Sequence, residues 1–382
     1  MKKRILPLAL AALVCMLCTS ACSKQSESQP ELQPESVDEI MAGMTLRQKI
    51  GQLFIVRPDA LDFTLTQEQI DDSGADGVIE LTEEMRTALA EYPVGGVALF
   101  GKNIENPEQL KKFTADLKAA GDIPLFLAVD EEGGLVARLA NPEGFYLPRY
   151  SSASETEDAG EMGRTIGAYL KEYGFNVDFA PVADVNSNPD NPVIGNRAFS
   201  DDPQTVREKA AAMADGLSQN GIMPVYKHFP GHGDTAEDSH SELAVVHKTL
   251  EQLKKIEWVP YENRTLPAVM VAHVAVPEEG VEGPASLSYT AVTEWLRGTL
   301  CHEGLVITDS LSMAAITSSY TPAEACVKAL EAGVDVLLMP ADLQEALDGV
   351  EQAVKSGRIS ESRIDESVRR ILTEKQSLGL LS

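Results

Sequence analysis

Short apolar, β-rich runs recur along the chain at 50–56, 94–100, 124–129, 177–182, 222–226, 268–272, 305–308 and 334–338. These runs are nearly continuous in Val, Ile, Leu, Ala and Phe instead of alternating with polar residues. A strand written this way is apolar on both faces, which fits a parallel sheet covered by helices on each side. Segments 107–120, 158–173, 203–219, 322–332 and 343–355 place apolar residues at helical spacing and supply such helices. Eight strands alternating with helices are the number that closes a (β/α)8 barrel of the TIM type. A doubly wound open sheet shares the alternation, but no GxGxxG turn follows the first run. The stretch 57–93 is long for one connection and reads as an insertion over one rim, with a helix near 82–92. No repeat or composition break divides 39–382, so this part is expected to be one α/β barrel domain.

The first 22 residues read as a targeting segment. Lys2, Lys3 and Arg4 form a basic start, 5–17 an apolar stretch too short for a comfortable membrane span, and Thr19-Ser20-Ala21 a small-residue cleavage site. Cys22 follows at once, as in a bacterial lipoprotein signal whose cysteine carries the lipid; simple secretion or an uncleaved anchor is the alternative. Residues 23–38 begin SKQSESQPELQPES, have almost nothing to bury, and read as a flexible tether. The expected location is therefore the outer side of a membrane. Behind Cys22 only Cys301 and Cys326 remain, a pair that is either bridged or free and too few for a disulfide scaffold. The formal net charge of −27 disfavours nucleic acid and anionic lipid as partners of the folded body.

A barrel puts its chemistry at strand C-termini, and ionisable residues gather there. The third strand runs into Asp130 in AVDEEGGLVAR, the fourth into Asp184 and NSNPDNPVIGNRAF, the sixth into His273, and the seventh into Asp309 in VITDSLSM. The fifth leads into KHFPGHGDTAEDSH, which starts at Lys227 and His228 and holds three of the chain's six histidines. Singly, these residues have ordinary uses. Asp130 or Asp309 could cap a helix, Arg138 and Arg197 could make structural ion pairs, and His273 could be a satisfied core histidine.

Together, KHFPGHG followed by DTAEDSH, VDEEGGLVAR, GNRAF and ITDSLSM resemble the family 3 glycoside hydrolases, and within them the bacterial β-N-acetylglucosaminidases that recycle peptidoglycan fragments. The resemblance spans essentially the whole chain from residue 44. It implies a covalent, retaining mechanism in which Asp309 is the nucleophile and His240, steadied by Asp238, is the proton donor. It also implies that Asp130 and Arg138 grip the outer hydroxyls of the terminal sugar, while Lys227, His228 and Arg197 donate to ring hydroxyls and the 2-acetamido group. A retaining pair of this kind usually sits about 5–5.5 Å apart. No cofactor or metal is implied. The implied activity is exo-β-N-acetylhexosaminidase action on muropeptides, cell-wall fragments or chitin oligomers.

Three other readings remain open on the residues. Many family members carry a second domain with a glutamate acid, which this chain is expected to lack, so a β-glucosidase or a phosphorylase of the same family is an alternative. His228, His232, Asp234, Asp238 and His240 could ligate a divalent metal in a barrel amidohydrolase, although Pro230 and the neighbouring glycines break the helix that HxxxH spacing favours. A non-catalytic sugar-binding lipoprotein is the third.

Overall fold

The computed structural model describes residues 36–72, 74–236, 243–262 and 265–381. Eight parallel strands form the barrel wall: β1 (Phe54–Val56), β2 (Gly96–Ala98), β3 (Phe126–Val129), β4 (Val177–Asp178), β5 (Met223–Phe229), β6 (Ala268–Val271), β7 (Leu305–Thr308) and β8 (Leu337–Leu338). Each pairs in parallel with its sequence neighbour as far as β7, and β8 pairs with β1. An Ile307–Val336 bridge and the Thr308 amide donating to the Val336 carbonyl at 3.0 Å complete the ring. Every residue of these strands is buried, which is the physical reason the apolar runs do not alternate.

A helix follows each strand: Glu83–Glu91, Pro107–Lys118, Ala159–Glu172, Pro203–Ser218, Leu250–Lys255, Thr290–Thr299, Pro322–Ala332 and Leu343–Lys355. Their starts are written locally. Asn106, Asp202 and Thr321 each accept a hydrogen bond from the third helical amide, and each is followed by a proline, whose missing N–H costs nothing at that position. Leu343–Lys355 buries Leu343, Ala346, Leu347, Val350 and Val354, a stripe at helical spacing that packs on the barrel.

The structure departs from the sequence expectation at four places. The run 50–56 is split: Thr45 opens a capping box for helix Leu46–Gln52, so Ile50 belongs to a helix and the strand begins at Phe54. A short buried helix face and a buried strand look alike in composition. The run 177–182 pairs continuously only at Val177–Asp178, whereas β5 continues through Lys227 and His228 to Phe229. After the eighth barrel helix comes one more, Glu361–Ser377, which packs with Val37–Gly43 and Leu46–Gln52 under the N-terminal ends of the strands. Cys301 and Cys326 are free thiols. Among the described residues no helix is long and apolar enough to cross a membrane.

Candidate active site

At the C-terminal ends of the strands lies a cavity of about 430 Å³, lined from all sides of the barrel. The nominated residues Asp130, Arg138, Arg197, Lys227, His228 and Asp309 all reach it, together with Arg57, Phe100, Glu132 and His232. Asp238, His240 and Cys22 lie outside the described residues.

The β3 end shows how one short motif serves both cavity and core. A small hairpin, Glu131–Gly133 against Val136–Ala137, follows Asp130, and successive side chains along it point to opposite sides. Asp130 and Glu132 face the cavity. Glu131 faces inward, where its carboxylate accepts from the Leu139 amide at 2.8 Å, the Ala140 amide at 3.0 Å and the Tyr169 hydroxyl at 2.7 Å. Arg138 closes the hairpin by donating its backbone N–H to the Asp130 carbonyl at 3.3 Å. Its guanidinium lies over the Phe100 ring, 5.9 Å from the centroid, and its Nε is buried with no hydrogen-bond partner among the described residues. A buried donor left open beside a polar cavity is suited to a ligand acceptor.

Glu132 is the hub of the charged wall. Arg197 grips it in a fork, Nε to Oε2 at 2.8 Å and Nη2 to Oε1 at 2.7 Å, and Lys227 Nζ reaches Glu132 Oε1 at 2.7 Å and Asp130 Oδ1 at 2.6 Å. Burial alone would raise the Glu132 pKa, but the Lys227 and Arg197 charges outweigh it and hold the carboxyl far below the usual range. Burial would likewise lower Lys227, yet the Asp130 and Glu132 carboxylates keep it above its ordinary value. Glu132, Lys227 and Arg197 are therefore ionised at neutral pH, and the whole network stands in fixed positions before any sugar arrives. Lys227 has three N–H donors, and among the described residues two of them are taken here, so the third suits a hydroxyl or amide oxygen.

Asp184, fully buried after β4, orients the β5 end. Its Oδ2 lies 2.6 Å from His228 Nδ1, and its Oδ1 accepts from the His232 backbone N–H at 2.7 Å. A carboxylate can only accept, so His228 Nδ1 donates here, and the ring it orients lines the cavity. Burial opposes ionisation of Asp184, but the two histidines outweigh it and lower its pKa. Burial and His228 lower the pKa of His232, whose Nδ1 lies 2.8 Å from the Thr235 hydroxyl.

Asp309 follows β7 directly. Its Oδ1 accepts from the Ser310 amide at 2.7 Å, and its backbone N–H donates to the Val271 carbonyl at 2.9 Å, so the residue that carries the carboxylate is pinned to β6. His273 takes the ordinary role left open for it. It is fully buried, with Nδ1 2.7 Å from the Ser286 hydroxyl and Nε2 donating to the Ser310 carbonyl at 2.8 Å, so it braces the residue next to Asp309.

The sequence profile of the glycosyl hydrolase family 3 N terminal domain matches residues 45–374. The chain belongs to glycosyl hydrolase family 3. It is 36% identical over 305 residues to Beta-hexosaminidase LpqI of Mycobacterium tuberculosis, covering 76% of this chain and 78% of that one. It is 32% identical over 333 residues to Beta-hexosaminidase A of Pseudoalteromonas piscicida, covering 78% of this chain but only 56% of that relative's length. Among solved structures, a family 3 β-N-acetylglucosaminidase from Paenibacillus sp. str. FPU-7 superposes with a TM-score of 0.79 at 37% identity, covering 88% of this chain and 63% of that one.

In this family 3 barrel, sequence reading missed Glu132, Arg57 and the supporting role of Asp184. Arg57 had a usable signal, since it directly follows the first apolar run. Of the residues considered for a metal, the described ones have separate partners: His228 meets Asp184, His232 meets Thr235, and Asp234 meets Lys248. Among the described residues no three His, Cys, Asp or Glu side chains group around a common point.

Proposed function

We propose that this protein is a retaining exo-β-N-acetylhexosaminidase that removes terminal β-linked N-acetylglucosamine from peptidoglycan fragments or chitin oligomers. The observation that carries the reading is the convergence of Asp309 with the Asp130, Glu132, Arg197 and Lys227 network in one cavity of a family 3 barrel. In the proposed first step the Asp309 carboxylate attacks the anomeric carbon, the bond to the leaving oxygen breaks, and His240 gives that oxygen a proton. In the second, water loses a proton to His240 and attacks the same carbon, which frees Asp309 and returns the original configuration. The charged wall holds the sugar's hydroxyls without reorganising as charge develops. The β-hexosaminidase names of the relatives support the acetamido sugar.

The test is trapping with a 2-fluoro glycosyl reagent followed by peptide mapping. The label is expected on the peptide containing Asp309 and is expected to be lost in Asp309→Asn. A label on any other carboxylate overturns the assignment.

The basic start, apolar stretch and Ala21-Cys22 junction support the further proposal of an exported protein held to the membrane by lipid on Cys22. Metabolic labelling with a radioactive fatty acid is expected to mark the protein and to vanish in Cys22→Ala. Equal labelling of both would refute the anchor.

A further inference from the structure

Four polar groups meet outside the sugar-facing network, in the segments that follow β4 and β5. Lys248 Nζ lies 2.6 Å from Glu257 Oε1, 2.9 Å from the Ser187 hydroxyl oxygen and 3.1 Å from Asp234 Oδ1. The Ser187 hydroxyl is also within 2.9 Å of Glu257 Oε1. Glu257 is fully buried and Lys248 nearly so, so the cluster is a built feature rather than a surface ion pair. None of the four lines the cavity.

Their positions in the chain give the cluster a use. Asp234 follows β5, Lys248 precedes helix Leu250–Lys255, and the residues between them in sequence include Asp238 and His240. Each flank of that segment is separately fastened. On the first, the His232 amide donates to Asp184 Oδ1 at 2.7 Å and the Asn188 amide to the Gly233 carbonyl at 3.1 Å. Gly233 is required there, because a Cβ would lie 1.8 Å from the Val185 carbonyl oxygen; at Gly231, with φ of 124°, a Cβ would lie 2.6 Å from the Glu257 Cβ. On the second, Ala244–Val245 pairs in parallel with Val274–Ala275, and the Val246 amide donates to the Ala275 carbonyl at 2.8 Å. The Lys248 to Asp234 contact ties one flank to the other, and Glu257 fixes the ammonium that makes the tie.

We propose that Lys248, held by Glu257 and Ser187, is a positioning residue that fixes the spacing of the two flanks of the His240 segment and thereby governs proton delivery to the leaving oxygen. The inference rests on the reading of His240 as proton donor. A general acid matters in proportion to how poor the leaving group is, so a displaced donor leaves a signature that general loss of structure does not.

The test compares the full-length wild type with Lys248→Met, Lys248→Arg, Asp234→Asn and His240→Ala on N-acetylglucosaminides with leaving groups from dinitrophenol to simple alcohols. Lys248→Met is expected to keep kcat/KM for the dinitrophenyl glycoside within about threefold and to lose at least about tenfold on alkyl glycosides, with Lys248→Arg restoring most of the loss. Asp234→Asn takes the charge out of the tie without stranding a fully buried charge and is expected to shift the alkyl substrates in the same direction by a smaller factor, which keeps the test decisive if Lys248→Met does not fold. Equal loss across all leaving groups in Lys248→Met and Asp234→Asn overturns the positioning role while a steep dependence in His240→Ala leaves the donor assignment standing. If His240→Ala itself shows no dependence on leaving group, the donor assignment fails and the inference falls with it.

Discussion

Two of the buried lysines of this barrel lie at opposite ends of it, and they have opposite electrostatic fates. Lys227, on β5 near the cavity, is surrounded by countercharge, Asp130 at 2.6 Å and Glu132 at 2.7 Å, and its pKa is raised despite burial. Lys375, in the helix Glu361–Ser377 under the barrel floor, has one polar partner among the described residues, the Gln52 side-chain oxygen at 2.7 Å, and lies 5.0 Å from the centre of the Phe126 ring. Burial pushes it down to about 7. The comparison separates two things that a burial value merges. A buried charge ringed by opposite charges is an instrument already set for a polar ligand, whereas one facing an amide and a ring is a cost that the surrounding packing must carry.

Removing the two ammonium groups should therefore have effects of opposite sign. Lys227→Met strands Asp130 and leaves Glu132 to Arg197 alone. It is expected to lower stability by about 3–5 kcal/mol, the usual penalty for breaking a buried pair from one side. Turnover of an N-acetylglucosaminide is expected to fall by about 10²–10³-fold, as when a fixed donor is lost from an active site. Urea unfolding and steady-state kinetics measure the two separately, and Lys227→Arg shows whether charge alone suffices. Stability and turnover both close to wild type would dissolve the contrast between the two ends.

The same contrast marks what the amino-acid sequence discloses and what it conceals. The barrel was readable because strands buried on both faces must be apolar throughout, and its mouth because a barrel presents ionisable groups at strand ends. Asp130, Arg138, Arg197, Lys227, His228 and Asp309 were found by that rule and do converge. Glu132 was hidden inside a run of three acids, Asp130-Glu131-Glu132. Which of them turns to the cavity is decided by the hairpin's alternation and by Leu139, Ala140 and Tyr169 claiming Glu131. Lys375 was hidden more completely. In a helix as polar as Glu361–Ser377 it reads as a solvated residue, and the partner that reveals its burial, Gln52, is 323 positions away. Local pattern carries the period of an element, but a long-range polar pairing leaves no trace in either participant's neighbourhood.

Lys375 offers the smaller and more diagnostic experiment, because its sign changes with pH. With a folded pKa of about 7 against an ordinary 10.5, the unfolded chain binds the proton more tightly between those values, so this group's contribution to stability rises with pH across that interval. Below about pH 7 the folded protein must hold the charge and bears the whole penalty, which converts to an order of magnitude of about 5 kcal/mol at most. Lys375→Met removes that penalty but also strands the Gln52 oxygen, which costs about 1–3 kcal/mol. The variant is accordingly expected to be more stable than wild type by about 2 kcal/mol at pH 6 and equal to it or less stable at pH 10, where the wild-type amine is neutral and still donates to Gln52. Activity should be unchanged at both pH values, since the residue is far from the cavity lining. Chemical denaturation at the two pH values reads the crossover. A variant destabilised equally at both would mean that Phe126 and Gln52 solvate the ammonium as well as water does, and the two enclosed lysines would then differ in surroundings but not in energetic kind.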